Sequence, residues 1–219
     1  MEKAFNGKTV VLTAGPTYEP IDPVRFIGNH STGKMGFALA ECFAQRGAKV
    51  QLVAGPTNMK AQHEGITVTP VTTADEMYAA VKELTPSADI WVFAAAVADY
   101  KPKVVADKKI KKAEAELTIE LVKNVDIAAA LGKEKRADQF AVGFALETDN
   151  EDSNARGKLK KKNLNMIVLN SLNDPGAGFK HDTNKITIIE EDTTTAFELK
   201  QKSEVAQDIV NLIWERLYA

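Results

Sequence analysis

Short β-rich runs alternate with longer helical stretches along most of this chain, and that alternation constrains the fold more than any other feature. Lys8-Thr-Val-Val-Leu-Thr-Ala14 reads as a first strand and Lys49-Val-Gln-Leu-Val-Ala54 as a second. Between them, residues 33–46 place Met35, Ala38, Leu39, Cys42 and Phe43 at i, i+3, i+4, i+7 and i+8, one apolar helix face. Gly47 stands where a left-handed residue would end that helix. Further strands are expected at 66–71, 89–97, 116–121, 139–146 and 165–170, and helices at 74–84, 125–132 and 151–162. Runs 89–97 and 139–146 are largely apolar, as strands buried on both faces require. The expected fold is α/β, a Rossmann-like, doubly wound, mainly parallel sheet with right-handed crossovers. The end of the chain differs. Residues 185–189 and 196–200 flank a polar turn and read as an antiparallel β-hairpin. A last helix turns Val205, Ile209, Leu212, Ile213 and Leu217 towards one side. With no internal repeat and no Pro/Gly-rich linker, residues 1–219 read as a single domain.

Composition narrows the function classes. Lys plus Arg is 28 and Asp plus Glu is 30, a formal charge of −2, which argues against a nucleic-acid protein driven by phosphate neutralisation. The single Cys42 excludes an intramolecular disulfide and any multi-cysteine zinc site, and fits a reducing compartment. On the apolar face of its helix, Cys42 reads as core. The longest apolar stretch, 90–98, is nine residues, whereas a membrane helix needs about twenty. The expectation is a soluble cytoplasmic protein that binds neither membrane nor nucleic acid.

The connection after the first strand is unusual. A βα loop commonly has about two to six residues, and this one runs about eighteen, from Gly15, with prolines at 16, 20 and 23. Long ordered loops at strand C-termini of open α/β sheets are where ligands bind. Gly28-Asn-His-Ser-Thr-Gly33-Lys34-Met35 nearly spells a P-loop, but Met35 replaces the magnesium-ligating hydroxyl and no strand directly precedes it. No G-x-G-x-x-G is present, and Val53-Ala54-Gly55 offers no ribose-binding acid, so dinucleotide chemistry is disfavoured. Tyr78 and Lys82 match a reductase spacing only formally. Ser31-Thr-Gly-Lys-Met-Gly36 places small residues and amides at a helix N-terminus. It reads equally as a seat for an anion and as simple capping by Ser31 or Thr32.

The ordered motifs carry a resemblance. They are Gly15-Pro-Thr-x-Glu-Pro-x-Asp-Pro-Val-Arg25, Asn29-His-Ser-x-Gly-Lys-Met-Gly36, Ala95-Ala-Val-Ala-Asp-Tyr100, Lys109-Ile-Lys-Lys112, Leu121-Val-Lys-Asn-x-Asp-Ile127, Val142-Gly-Phe-Ala-x-Glu-Thr148 and Lys162-Asn-Leu164, with Asn184 beyond them. Together they resemble phosphopantothenate–cysteine ligase of the bacterial, CTP-using type, found as the C-terminal half of a bifunctional decarboxylase/ligase. Tyr18 stands where the family often has a basic residue, and Val125 where many members have proline.

The resemblance implies a ligase of coenzyme A biosynthesis. It would join 4′-phosphopantothenate to L-cysteine through an acyl-cytidylate, with CTP and Mg²⁺ as substrate and counter-ion. Asn29, Arg25 and Lys109 are the implied catalytic residues: Asn29 as donor to the oxyanion, Arg25 as clamp on the acyl-cytidylate phosphate, and Lys109 as a flap cation on the phosphates. Ala94, Ala95 and Asp99 would admit the base and bind the ribose, and Phe144 would pack on base or sugar. Val125, Asp126, Ile127 and Ala128, after Asn124, would open a short helix as an anion seat. Lys158 and Lys162, four apart on one helix face, would bind phosphate. No magnesium ligands are identified. His30 carries no metal or triad role. A homodimer, and a flavin-dependent decarboxylase half fused or associated, are implied partners. The competing readings are a non-catalytic nucleotide-binding module and a Rossmann-type reductase.

Overall fold

The computed structural model describes residues 4–111, 116–147, 149–171 and 181–218. Thr148 and Lys112, members of two of the motifs above, lie outside them. Among the described residues, the central sheet has eight strands: β1 (Thr9–Ala14), β2 (Lys49–Ala54), β3 (Ile66–Pro70), β4 (Ile90–Phe93), β5 (Phe140–Glu147), β6 (Met166–Ser171), β7 (Ile186–Ile189) and β8 (Thr194–Ala196). Their order is β8-β7-β6-β5-β4-β1-β2-β3. The six strands from β3 to β6 run parallel, with β1 between β2 and β4 in registers Val10↔Val50 and Val10↔Ile90. β7 and β8 add antiparallel strands at one edge. The Rossmann-like, mainly parallel expectation holds.

Among the described residues, five α-helices cover the sheet: α1 (Lys34–Gln45), α2 (Ala74–Leu84), α3 (Ile127–Gly132), α4 (Glu151–Lys161) and α5 (Lys202–Tyr218). Alternate residues of β1 face opposite ways. Val10, Leu12 and Ala14 join one core with α1 and α5, and Val11 joins the other with α2, α3 and α4. α5 buries Val205, Ile209, Leu212 and Ile213 as its spacing requires. Gly47 is left-handed, with φ 90°, and its N–H returns to the Ala44 carbonyl, closing α1. Cys42 packs in the α1 core, where burial pushes its thiol pKa up. Among the described residues, no helix is long and apolar enough to cross a membrane.

Four expectations change. The strand expected at 116–121 does not enter the sheet. Only Leu121–Lys123 is extended there, paired antiparallel with Tyr100–Pro102. Residues 116–118 and 120 are exposed, so this run has no apolar face to bury. The strand expected at 89–97 stops at Phe93, and Ala96 makes only a single parallel bridge with Pro16. The hairpin closes earlier, at 186–189 with 194–196, while Lys200–Gln201 pairs with Thr183–Asn184. The helix expected from 125 begins at Ile127.

α1 lies so close to β1 that a Cβ on Gly36 would sit 2.5 Å from the Ala14 Cβ and 3.2 Å from its Cα. Gly36→Ala is therefore expected to destabilise the fold by about 1–3 kcal/mol. A lowered urea midpoint at unchanged m-value is the measurement that checks it.

Candidate functional site

Strand order reverses between β1 and β4, and the chain opens a crevice at their carboxyl ends, where ligands of such sheets bind. Two adjoining cavities occupy it, of about 380 Å³ and about 180 Å³. Ala95, Val97, Asp99 and Phe144 line both. Asn29 and Ala94 line the larger, with the α1 N-terminus. Val125, Asp126, Ile127, Ala128, Lys158 and Lys162 line the smaller. Arg25 and Lys109 line neither.

The long loop reaches the crevice because its polar side chains are buried acceptors for backbone donors elsewhere. Thr17 Oγ1 accepts from Ala98 N at 3.0 Å, and beside it, at the end of β1, Thr13 Oγ1 accepts from Ala95 N at 3.1 Å. Glu19 Oε1 takes the first N–H of α2, Ala74 N, at 2.9 Å. Thr13, Thr17, Glu19 and Asp22 are all buried, so each would be costly without its partner. The run of prolines and acids in one connection was the signal for this set, although no role was assigned to Thr17, Glu19 or Asp22 from sequence.

Asn29 is fixed at both ends of its amide. Nδ2 donates to the Ala96 carbonyl and Oδ1 accepts from Ser31 N at 2.9 Å. That seats the loop against the Ala94–Ala98 strand end, whose small side chains leave the backbone open. α1 has no side-chain cap. Its N-cap is Gly33, at φ 80°, where a side chain would be strained. Ser31 Oγ accepts only from Gly33 N, at 3.4 Å, so capping of α1 by Ser31 or Thr32 is set aside, and Gly33–Gly36 at the helix start line the larger cavity.

At α3 the arrangement is the opposite. The Asp126 carboxylate caps it, accepting from Ala129 N at 3.1 Å. The expected anion seat at Val125–Ala128 therefore shares its helix end with a carboxylate that takes one amide, and all four residues line the smaller cavity. Asn124 instead donates to the Ala98 carbonyl at 2.8 Å, and its Oδ1 is buried without a partner. Lys158 and Lys162 come together at the smaller cavity, each already paired, Lys158 with Glu147 and Lys162 with Asp126 at 3.1 Å.

The larger cavity also contains Lys34, Asn170, Asn184 and Lys202, of which Asn170 and Lys202 were missed from sequence. Lys202 opens α5, and a lysine at a helix start reads as surface. Here it is buried and donates to the His181 carbonyl. Burial pulls its pKa down, Lys34 adds to that, and Asp182 opposes it. Asn184 Nδ2 donates to Asn170 Oδ1 at 2.8 Å, while its own Oδ1 is buried without a partner.

Arg25 lies with Asp22. Arg25 Nε donates to Asp22 Oδ2 at 3.0 Å, Nη2 donates to the same oxygen, and Nη2 also reaches the Ile110 carbonyl at 3.0 Å. The guanidinium holds the Asp22 carboxyl well below the usual carboxylate range against the cost of burial, helped by the Ile110, Val24 and Arg25 amides. Lys109 is exposed. His30 is exposed and lines neither of these two cavities, and Lys82, over the Tyr78 ring at 5.8 Å, lines neither. No group of three or more His, Cys, Asp or Glu suited to a metal occurs among the described residues.

Residues 5–217 match the family described as the DNA/pantothenate metabolism flavoprotein C-terminal domain. The chain belongs to this family. A crystal structure of the C-terminal domain of the coenzyme A biosynthesis bifunctional protein CoaBC is 40% identical, with a TM-score of 0.84 over 99% of this chain and 98% of that one. The CoaBC protein of Haemophilus influenzae is 46% identical over 97% of this chain and 52% of its own length. A protein from an unknown prokaryotic organism, named cysteine/cysteine sulfinic acid decarboxylase, is 54% identical over 97% of this chain and 59% of its own. The chain thus spans a little over half the length of these curated relatives.

The paired lysines make a direct prediction. Lys158→Met and Lys162→Met should each weaken binding of inorganic pyrophosphate about tenfold, the scale of one charge-assisted hydrogen bond, in a calorimetric titration.

Proposed function

We propose that the chain is an acid–amino-acid ligase that joins 4′-phosphopantothenate to L-cysteine at the expense of CTP, in coenzyme A biosynthesis. One observation carries the reading: two adjoining cavities share Asp99, Phe144 and the alanine strand end, with lysines beside each. That is a two-compartment site for two anionic substrates that must meet. Membership of a family whose 40–46% identical relatives are named as coenzyme A biosynthesis proteins supports it.

In the first step a carboxylate oxygen attacks the α-phosphorus of CTP, the bond to the β-phosphate breaks, and pyrophosphate leaves. Two anions must approach, so neutralisation is the largest demand. Lys158 and Lys162 would meet it by leaving Glu147 and Asp126 for phosphate, with Lys109 as a further cation. Ala94, Ala95 and Phe144 would admit the base, and Asp99 would accept from the ribose. In the second step the cysteine amine attacks the acyl carbon, the bond to CMP oxygen breaks, and the amine loses a proton. Asn29 would steady the oxyanion with the Nδ2 hydrogen left over from the Ala96 carbonyl. Magnesium would enter as the counter-ion of the triphosphate, sharing the neutralisation of its charge with the lysines. A homodimer, fused to or working beside a flavin-dependent decarboxylase, completes the proposal.

The name of the 54% identical relative favours a second reading, decarboxylation of cysteine. A CO₂ assay with cysteine alone separates the two. The ligase reading expects no CO₂, and pyrophosphate release that needs CTP, phosphopantothenate and magnesium, with amide only when cysteine is added. Pyrophosphate at background level would overturn it, and replacing CTP by ATP measures the nucleotide preference. Asn29→Asp should slow amide formation more than pyrophosphate release in single-turnover assays. Equal losses in both would remove the oxyanion role.

A further inference from the structure

We infer that Asp22 is a positioning residue whose one buried carboxylate sets both Arg25 and Lys109. The role of these two cations rests on the ligase reading; their placement does not. The Asp22 side chain has no exposed area, and its oxygens accept five hydrogen bonds. Val24 N and Arg25 N reach Oδ1 at 2.8 and 2.9 Å, which closes the local Pro23 turn. Arg25 Nε and Nη2 reach Oδ2, and so does Ile110 N at 3.0 Å.

The bond to Ile110 serves no purpose in the turn. It joins residues 88 positions apart, and Arg25 Nη2 doubles it by donating to the Ile110 carbonyl. Ile110 is therefore gripped at both its N–H and its C=O by one ion pair. A third tie, Ala106 N to the Ile21 carbonyl at 3.0 Å, holds the same stretch. Lys109 precedes Ile110, so the peptide that carries it is fixed wherever Asp22 and Arg25 fix Ile110. Its own side chain is exposed and makes no ion pair among the described residues. The consequence is a division of labour. Arg25 spends its charge on Asp22 and orients backbone, whereas Lys109 is presented beside it with its charge available.

Hydrogen exchange on the free protein tests the placement. Asp22→Asn should speed exchange of the Ile110 and Ala106 amides by about tenfold or more, leaving the β1 amides unchanged. Arg25→Leu, which keeps the turn acceptor, should do the same to Ile110. Faster exchange confined to Val24 and Arg25 in the Asp22 variant, with Ile110 unmoved in both, would reduce Asp22 to a turn residue and overturn the inference. Kinetics test the coupling. Asp22→Asn should lower kcat for pyrophosphate release about 10- to 100-fold with a smaller change in KM, the scale of a misplaced reacting group. Adding it to Lys109→Gln should cost no more than about twofold further. Losses that multiply would show that Asp22 does not act through Lys109. If the unaltered chain releases no pyrophosphate, the ligase reading fails while the exchange result still decides the placement.

Discussion

The site depends on a set of buried acceptors in one connection. The loop after β1 has too few apolar residues to fold by burial alone. What orders it is Thr17, Glu19 and Asp22, with Thr13 at the end of β1, each taking backbone N–H groups from strand ends, from α2 or from residue 110. A buried acceptor that loses its donor costs more than the bond gains, so these contacts are mutually enforcing. They bring Asn29 onto the Ala96 carbonyl and lay the α1 N-terminus beside the crevice. The parallel sheet sets where a crevice must lie; the acceptors decide what lines it.

This explains which parts were legible in the sequence. α1 and α5 show in the pattern because one packed face imposes a period on side chains, and β4 and β5 because both faces are buried. Alternation of strands and helices makes the parallel sheet legible, but not where its strand order reverses. The segment at 116–121 misleads because β-prone residues such as Leu117, Thr118 and Ile119 carry no record of whether a sheet edge is available. Asp22 and Lys202 were not found for a related reason. Their partners lie 88 and 21 positions away, and neither contact leaves a local period. Motif order, which reflects the whole site, carried Asn29, Asp99, Phe144, Lys158 and Lys162 to the crevice, while periodicity alone would have left them scattered.

Arg25 shows what motif order leaves open. Its Nε and Nη2 are taken by a carboxylate and a carbonyl and it lines neither cavity, yet its side chain keeps part of its surface exposed. Asp126 is similar at α3, where one amide of the helix start is capped while Val125–Ala128 line the smaller cavity.

The lysine pairs at the smaller cavity have a consequence for selectivity. Glu147 and Asp126 act as resident counter-ions, so the pocket behaves as an ion exchanger rather than as a positive well. A singly charged anion gains little by displacing a carboxylate that already neutralises its lysine. A polyphosphate that engaged Lys158 and Lys162 together would gain two charge-assisted contacts for one loss of translational freedom. Under the ligase reading, discrimination against chloride and free phosphate would then begin with the resting charge pattern.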